Sequence, residues 1–221
     1  MKSVLITGGT VRLGRAIAER LRAEGWRVIT SSHRADAGAD IVADLAEPMG
    51  PAKLYAAALQ ILGGIPPDAL VNNAALFTGD AAAIAAVNSE APKKLTMLMA
   101  GREAGIGAVV NILDAGMRDQ GSGIRGEYLV SKCELAAFTR SSAATFAATL
   151  RVNGVAPGPV LAPTDVHVKA GTTLLDRRPT ADDVAAAVSY LLGAESVTGV
   201  VIPVDAGQHL IRGMSKKKEE K

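Results

Sequence analysis

The sequence is poor in the residues from which several classes of site are built. Of its 221 residues one is cysteine, three are histidine and 3% are aromatic. A lone Cys133 excludes an intramolecular disulfide and any cysteine-rich zinc site, and it fits a reducing cytosol. His33, His167 and His209 lack the close acidic or histidine spacing of a metal site, so no metal is expected. So few aromatics exclude a stacking surface for single-stranded nucleic acid. No apolar run reaches the roughly 18 residues of a membrane span. The chain meets Gly8 and Gly9 before a secretory apolar region has room to form, so a cytoplasmic location is expected. The formal charge of +2 is carried by the last six residues, KKKEEK, and Met1 to Ser215 is formally neutral. A solvated tail of that kind points neither to nucleic acid nor to a membrane surface, and the expected partner is a small molecule.

Hydrophobic residues make up 48% and charged residues 21%, which is the balance of a folded chain with a sizeable core. Short β-branched runs alternate with alanine- and leucine-rich stretches of helical period, the pattern of βαβ units around a parallel sheet. The pattern predicts seven strands at Ser3–Thr7, Arg27–Ser31, Asp40–Ala43, Ala69–Asn72, Ala108–Leu113, Arg151–Val155 and Val200–Val204. Helices are expected at Leu13–Glu24, Pro51–Leu62, Asn88–Ala104, Tyr128–Leu150 and Ala181–Leu192. Thr180 and Asp183 form a capping signal for the last, and Gly25, Gly105 and Gly193 stand where helices should stop. The reading is a single Rossmann-type, doubly wound α/β domain over residues 1–212, with helices on both faces of the sheet and a charged tail at 213–221. Pro157 to Arg178 resists assignment, and loops of that length are usually active-site covers or mobile segments.

The first crossover joins a strand to a helix through Thr7-Gly8-Gly9-Thr10-Val11-Arg12-Leu13-Gly14. Glycines let backbone N–H groups approach a pyrophosphate, and a helix N-terminus adds a favourable dipole. Arg15-Ala16 replaces the Lys-Ser/Thr of a P-loop, which leaves a dinucleotide. After the second strand stands Ser31-Ser32-His33-Arg34, without the acidic residue that accepts from the ribose of NAD. Arg34 can clamp a 2′-phosphate with two parallel N–H bonds, so NADPH/NADP is the expected cofactor. Asp36 stands against this, since a different loop path would bring it to the ribose. His33 and Asp36 also read as plain solvated loop residues.

Tyr128-Leu-Val-Ser-Lys132 is a second, independent signal. With the glycine turn, Asp44-Leu45, Asn72-Asn73-Ala74-Ala75, Asn88, Pro157-Gly158 and Ile202-Pro-Val-Asp-Ala-Gly207, it makes the chain from Val4 to about Leu210 resemble a short-chain dehydrogenase/reductase. That resemblance implies cofactor contacts from Gly8, Thr10, Arg12 and Leu13 at the turn. It also implies them from His33 and Arg34, from Asp44 and Leu45 beside the adenine, and from Asn73 and Ala74 beside a ribose. Lys132, Pro157 and Gly158 would lie near the nicotinamide. Within the family the chain is most similar to pteridine and dihydromonapterin reductases, on four residues. These are Arg12 in place of a glycine, His33-Arg34, Phe77, and Asp114 where the usual catalytic serine would be. The resemblance implies substrate contacts from Arg12, Phe77, Asp114 and Tyr128, with Phe77 stacked on a pterin. Arg12 also reads as a phosphate contact alone, and Phe77 as core. Ala75 replaces a serine that often contacts substrate in those enzymes. The family also implies a homodimer or homotetramer built through the helices after the fourth and fifth strands.

Tyr128 and Lys132, four residues apart, share one helix face. A neighbouring ammonium favours phenolate and draws the phenol below its usual titration range, which makes Tyr128 a usable general acid or base. Asn88 resembles the residue that holds a water linked to that lysine. An ionised Asp114 accepts hydrogen bonds and repels a developing oxyanion, so it suits a substrate bearing N–H donors better than a simple ketone. Three functions stay open: a pterin reductase with catalytic Tyr128, Lys132, Asp114 and Asn88; a reductase of 3-oxoacyl or other carbonyl compounds, with Asp114 incidental, bonded to the Gly116 turn while another group polarises the carbonyl; and a non-catalytic NADP-sensing protein.

Overall fold

In the computed structural model, which describes residues 1–103, 105–118, 126–160 and 173–211, seven parallel strands form one sheet. These are β1 (Ser3–Thr7), β2 (Arg27–Ser32), β3 (Ile41–Val42), β4 (Ala69–Asn72), β5 (Gly107–Ile112), β6 (Leu150–Pro157) and β7 (Val201–Val204), in the spatial order β3-β2-β1-β4-β5-β6-β7. Both faces are covered. Alternation along β1 sends Leu5 to one core and Val4 and Ile6 to the other, which is the period-two geometry of a strand.

Helix α1 (Arg12–Ala23) buries Gly14, Ile17, Ala18 and Leu21, a stripe of helical spacing. It packs with α6 (Ala181–Gly193) on the face of Val4 and Ile6. The opposite face carries α2 (Gly50–Ile61), through Leu54, Tyr55 and Ala58, and the helical segment after β4, through Ala91, Leu95 and Met99. Thr180 caps α6 as the sequence predicts: its hydroxyl accepts from Asp183 N–H at 3.2 Å, and the Asp183 carboxylate accepts from Thr180 N–H at 2.8 Å. The Thr180 N–H, Arg177 and the Thr180 hydroxyl all donate to the Asp183 carboxylate and hold the carboxyl down at about 2.

Five expectations need correction. The region assigned to one helix at Asn88–Ala104 begins as α3 (Ala81–Ala85), widens into a π-turn at Ala86–Glu90, and continues as α4 (Ala91–Ala100). Pro92 has no N–H to donate to the Asn88 carbonyl, so the regular ladder cannot pass this point. That helix stops at Gly101 rather than Gly105, and Gly193 is the last residue of α6 rather than a residue beyond it. Helix α5 (Gly126–Thr145) ends well before Leu150, because Leu150 N–H turns back to the Phe146 carbonyl at 2.7 Å and opens β6. The third strand is only Ile41–Val42, since the Asp40 carboxylate accepts from Thr30 N–H and Oγ1 at 2.7 and 2.8 Å. The short helix α7 (Gln208–Ile211) follows β7. Among the described residues no helix is long and apolar enough to cross a membrane, and no three metal-ligating side chains gather.

Candidate active site

The strand order reverses between β1 and β4, and the crevice at such a switch point is where doubly wound sheets bind ligands. The glycine turn lies there. Gly8 adopts φ +63°, and a Cβ on Gly14 would lie 2.0 Å from the Gly8 carbonyl oxygen and 2.5 Å from Asn73 Nδ2. The turn is therefore drawn so tight that only glycine fits at position 14. Asn73 holds it from the side: Nδ2 donates to the carbonyls of Thr7 and Gly8 at 2.9 and 3.0 Å. Thr7 Oγ1 in turn accepts from the N–H groups of Asn73 and Ala74 at 2.9 and 3.0 Å. Sequence reading gave Thr7 no such role, although a threonine ending β1 beside an Asn-Ala pair ending β4 was visible. Arg12 is exposed at the head of α1 with φ +50°, a region that favours glycine and costs other residues about 1 kcal/mol. The glycine it replaces in the family pattern suits that backbone.

Where β5 ends and α5 begins, Asp114, Tyr128 and Lys132 come together. The Tyr128 hydroxyl donates to Asp114 Oδ2 at 3.0 Å, while Asp114 Oδ1 accepts from Gly116 N–H at 2.7 Å. One oxygen of Asp114 thus serves the turn and the other the phenol. Tyr128 is 4% exposed. Lys132, at 2%, donates to the Ile112 carbonyl at 2.8 Å and lies 5.7 Å from the Tyr128 ring centroid. Burial pulls its pKa down to about 8, and the charge of Asp114 partly offsets that pull.

Phe77 is exposed and stacks on the Tyr128 ring at a centroid distance of 4.5 Å and an interplanar angle of 21°. It belongs to the rim of the site and not to the core. Asn88 lies inside the π-turn, not at a helix start. Its Oδ1 accepts from Leu76 N–H at 2.7 Å, and its Nδ2 donates to the Leu76 carbonyl at 2.9 Å and to Ser131 Oγ at 3.1 Å. The side chain thus pins the backbone beside Phe77 and ties it to α5. The spacing of Asn88 and Pro92 was the available signal for this turn, and helical periodicity overrode it.

The far end of the crevice is built differently. Arg34 Nε and Nη2 donate to the two oxygens of Asp36 at 3.0 and 2.7 Å, and both side chains are well exposed. That contact holds the Asp36 carboxyl below its ordinary range, and nearby His33 adds to the effect. Asp44 is exposed and accepts from Ala46 N–H at 2.8 Å. Leu45, expected beside an adenine, packs its side chain into the core.

Past β6, the N–H of Gly158 donates to the Val204 carbonyl at 2.9 Å, and a Cβ at Gly158 would meet Asp205 Cβ at 2.6 Å. Buried Asp205 accepts from Gly207 N–H, His209 N–H and His209 Nδ1. The Leu174 and Leu175 N–H groups both donate to the Ala206 carbonyl. Leu161, Val166 and His167, considered from the sequence as pocket lining, lie outside the described residues, as does the charged tail. Cys133 places its thiol against the Met117 carbonyl at 3.4 Å, where burial raises its pKa.

The switch point of this doubly wound α/β sheet thus carries a tight glycine turn and a buried phenol, its ring centroid 5.7 Å from a lysine ammonium, that donates to a carboxylate, in a chain whose relatives make it an oxidoreductase. Residues 11–209 match the family model described as enoyl-(acyl carrier protein) reductase. A putative ketoacyl reductase of granaticin polyketide synthesis from Streptomyces violaceoruber is 34% identical, covering 94% of this chain and 96% of its own. Pteridine reductase 1 of Leishmania tarentolae is 29% identical, covering 94% and 96%. The crystal structure of FolM alternative dihydrofolate reductase 1 from Brucella canis, complexed with NADP, superposes with a TM-score of 0.86 at 31% identity, covering 99% of this chain and 98% of that one. The chain belongs to the short-chain dehydrogenase/reductase family.

Proposed function

We propose that this oxidoreductase is an NADPH-dependent reductase of pterin-like substrates. The observation that carries the reading is the hydrogen bond from Tyr128 to Asp114. An ionised carboxylate beside the phenol accepts from the amino and ring N–H groups of a pterin, and it opposes the oxyanion that forms when a carbonyl is reduced. The likeness to a pteridine reductase and to an alternative dihydrofolate reductase supports the same substrate class.

The residues fit an NADP-type cofactor: the turn from Gly8 to Gly14 is too tight for a Cβ at 14, and the Arg34 guanidinium, paired with Asp36 in this structure, is a fork of the kind that suits phosphate. Gly8, Thr10, Arg12 and Leu13 would hold the pyrophosphate end, Arg34 and His33 the 2′-phosphate, and Asn73, Ala74, Lys132, Pro157 and Gly158 the nicotinamide riboside. When bound, the reduced nicotinamide supplies the hydride. Buried Lys132, charged at neutral pH with its pKa near 8, sets a positive field beside the phenol. In that field Tyr128 gives its proton along its hydrogen bond to Asp114, and Asp114 passes that same proton to the ring nitrogen, so that one proton accompanies the one hydride. Phe77 offers its exposed ring to the other face of the substrate.

Carbonyl reduction is the second reading, favoured by the ketoacyl reductase relative. Following NADPH oxidation with dihydrobiopterin, dihydrofolate and an acetoacetyl thioester separates the two. Turnover of the pterins supports the proposal, turnover of the thioester alone replaces it, and binding without turnover makes the chain a sensor. We place the enzyme in the cytoplasm as a single domain. The exposed side of α5, which includes Val130, would face a second copy in a homodimer or homotetramer; a monomer by light scattering ends that part of the reading.

A further inference from the structure

We infer that Asp36 is a specificity-determining residue that occupies Arg34 in place of the 2′-phosphate, so that the chain discriminates only weakly between phosphorylated and unphosphorylated dinucleotides. The inference rests on Arg34 being the 2′-phosphate ligand.

The geometry is that of a ligand mimic. Guanidinium recognises phosphate by two parallel N–H bonds, and both of the donors suited to this, Nε and Nη2, already point at Asp36 Oδ1 and Oδ2. The short loop presets the pair. The Arg34 N–H donates to Ser32 Oγ at 3.0 Å, the next three residues form a tight turn, and Gly38 closes it at φ +65°. Asp36 sits in the first part of that turn, two residues from Arg34, and cannot move far from it. A carboxylate so close cancels most of the positive potential that Arg34 would show an incoming dianion. The guanidinium must leave Asp36 before it can close on phosphate, and Asp36 then stands as a like charge beside that phosphate. With an unphosphorylated ribose the same carboxylate has hydroxyl donors to accept and Arg34 keeps its partner. Both effects work against the preference that Arg34 alone would confer. An exposed pair of this kind exchanges partners at small cost, so the phosphate is weakened and not excluded.

The test is calorimetric titration of the full chain with adenosine 2′,5′-bisphosphate and adenosine 5′-monophosphate, which reads binding without catalysis. Asp36→Asn should tighten the bisphosphate by about two- to fivefold and leave the monophosphate unchanged or slightly weaker. Arg34→Ala should remove the difference between the two ligands. If Arg34→Ala removes the preference but Asp36→Asn leaves bisphosphate affinity unchanged or lower, the role of Asp36 is refuted while the reading of Arg34 stands. If Arg34→Ala leaves the preference intact, the 2′-phosphate subsite lies elsewhere and both fall. Far-ultraviolet circular dichroism confirms that each variant is folded, and an exposed site gives no reason for it to be otherwise.

Discussion

The two ends of the crevice use charge in opposite ways. At one, Tyr128 and Lys132 are almost wholly buried and each polar atom is aimed by a backbone group or a neighbouring side chain. At the other, Arg34 and Asp36 meet in open solvent with nothing but each other and a short turn to hold them. Proton transfer demands fixed distances, and burial supplies both the rigidity and the low dielectric that shift titration. Recognition of a phosphate needs only sign and a planar fork, so it tolerates water and exchange of partners.

The largest effect expected is that of Tyr128→Phe, which removes the acid and should lower kcat by about a hundred- to ten-thousandfold while dinucleotide binding by calorimetry holds. Retention of more than a tenth of kcat would mean that the buried end is not the proton donor. Asp114→Ser follows, with a loss of pterin turnover of at least about a hundredfold. A gain of acetoacetyl thioester turnover in the same variant would sharpen the contrast between carboxylate and hydroxyl.

Next comes Lys132→Met, read in stability. The folded chain releases the Lys132 proton at about 8 and the unfolded chain releases it near ~10.4, so between these values the unfolded state holds more protons and stability from this residue rises with pH. Urea titrations at pH 7 and pH 10 should show that rise in the parent and its reduction in the variant. An identical pH dependence in both would mean that the ammonium is not desolvated. Smallest is Arg12→Gly, which relieves the φ +50° backbone and should stabilise by about 1 kcal/mol while weakening substrate or cofactor binding. A destabilised Arg12→Gly would show that the arginine holds its turn together.

Much of the scaffold was legible because it follows local rules. The alternation of Val4, Leu5 and Ile6 between two cores and the Thr180–Asp183 cap are period and pairing effects within a few residues. What escaped depends on partners distant in sequence or on a missing atom. The N–H that Pro92 lacks converts a helix start into a π-turn around Asn88. The stacking of Phe77 on Tyr128 joins residues brought together only by the sheet. The pairing of Arg34 with Asp36 was within reach of the sequence, but a two-residue separation leaves open which way the loop turns.

Gly158 gives the fold a mechanical linkage. Its missing Cβ lets the exit of β6 rest on Asp205, whose carboxylate holds the start of α7, and α7 leans on the turn at Ala115–Arg118 that follows Asp114. A methyl group added at 158 would push on one end of this train of contacts, and the displacement would emerge at the other as a misaimed carboxylate. The exit of β6 and the carboxylate that accepts from Tyr128 are thereby geared to one another, and a substitution at one is felt at the other.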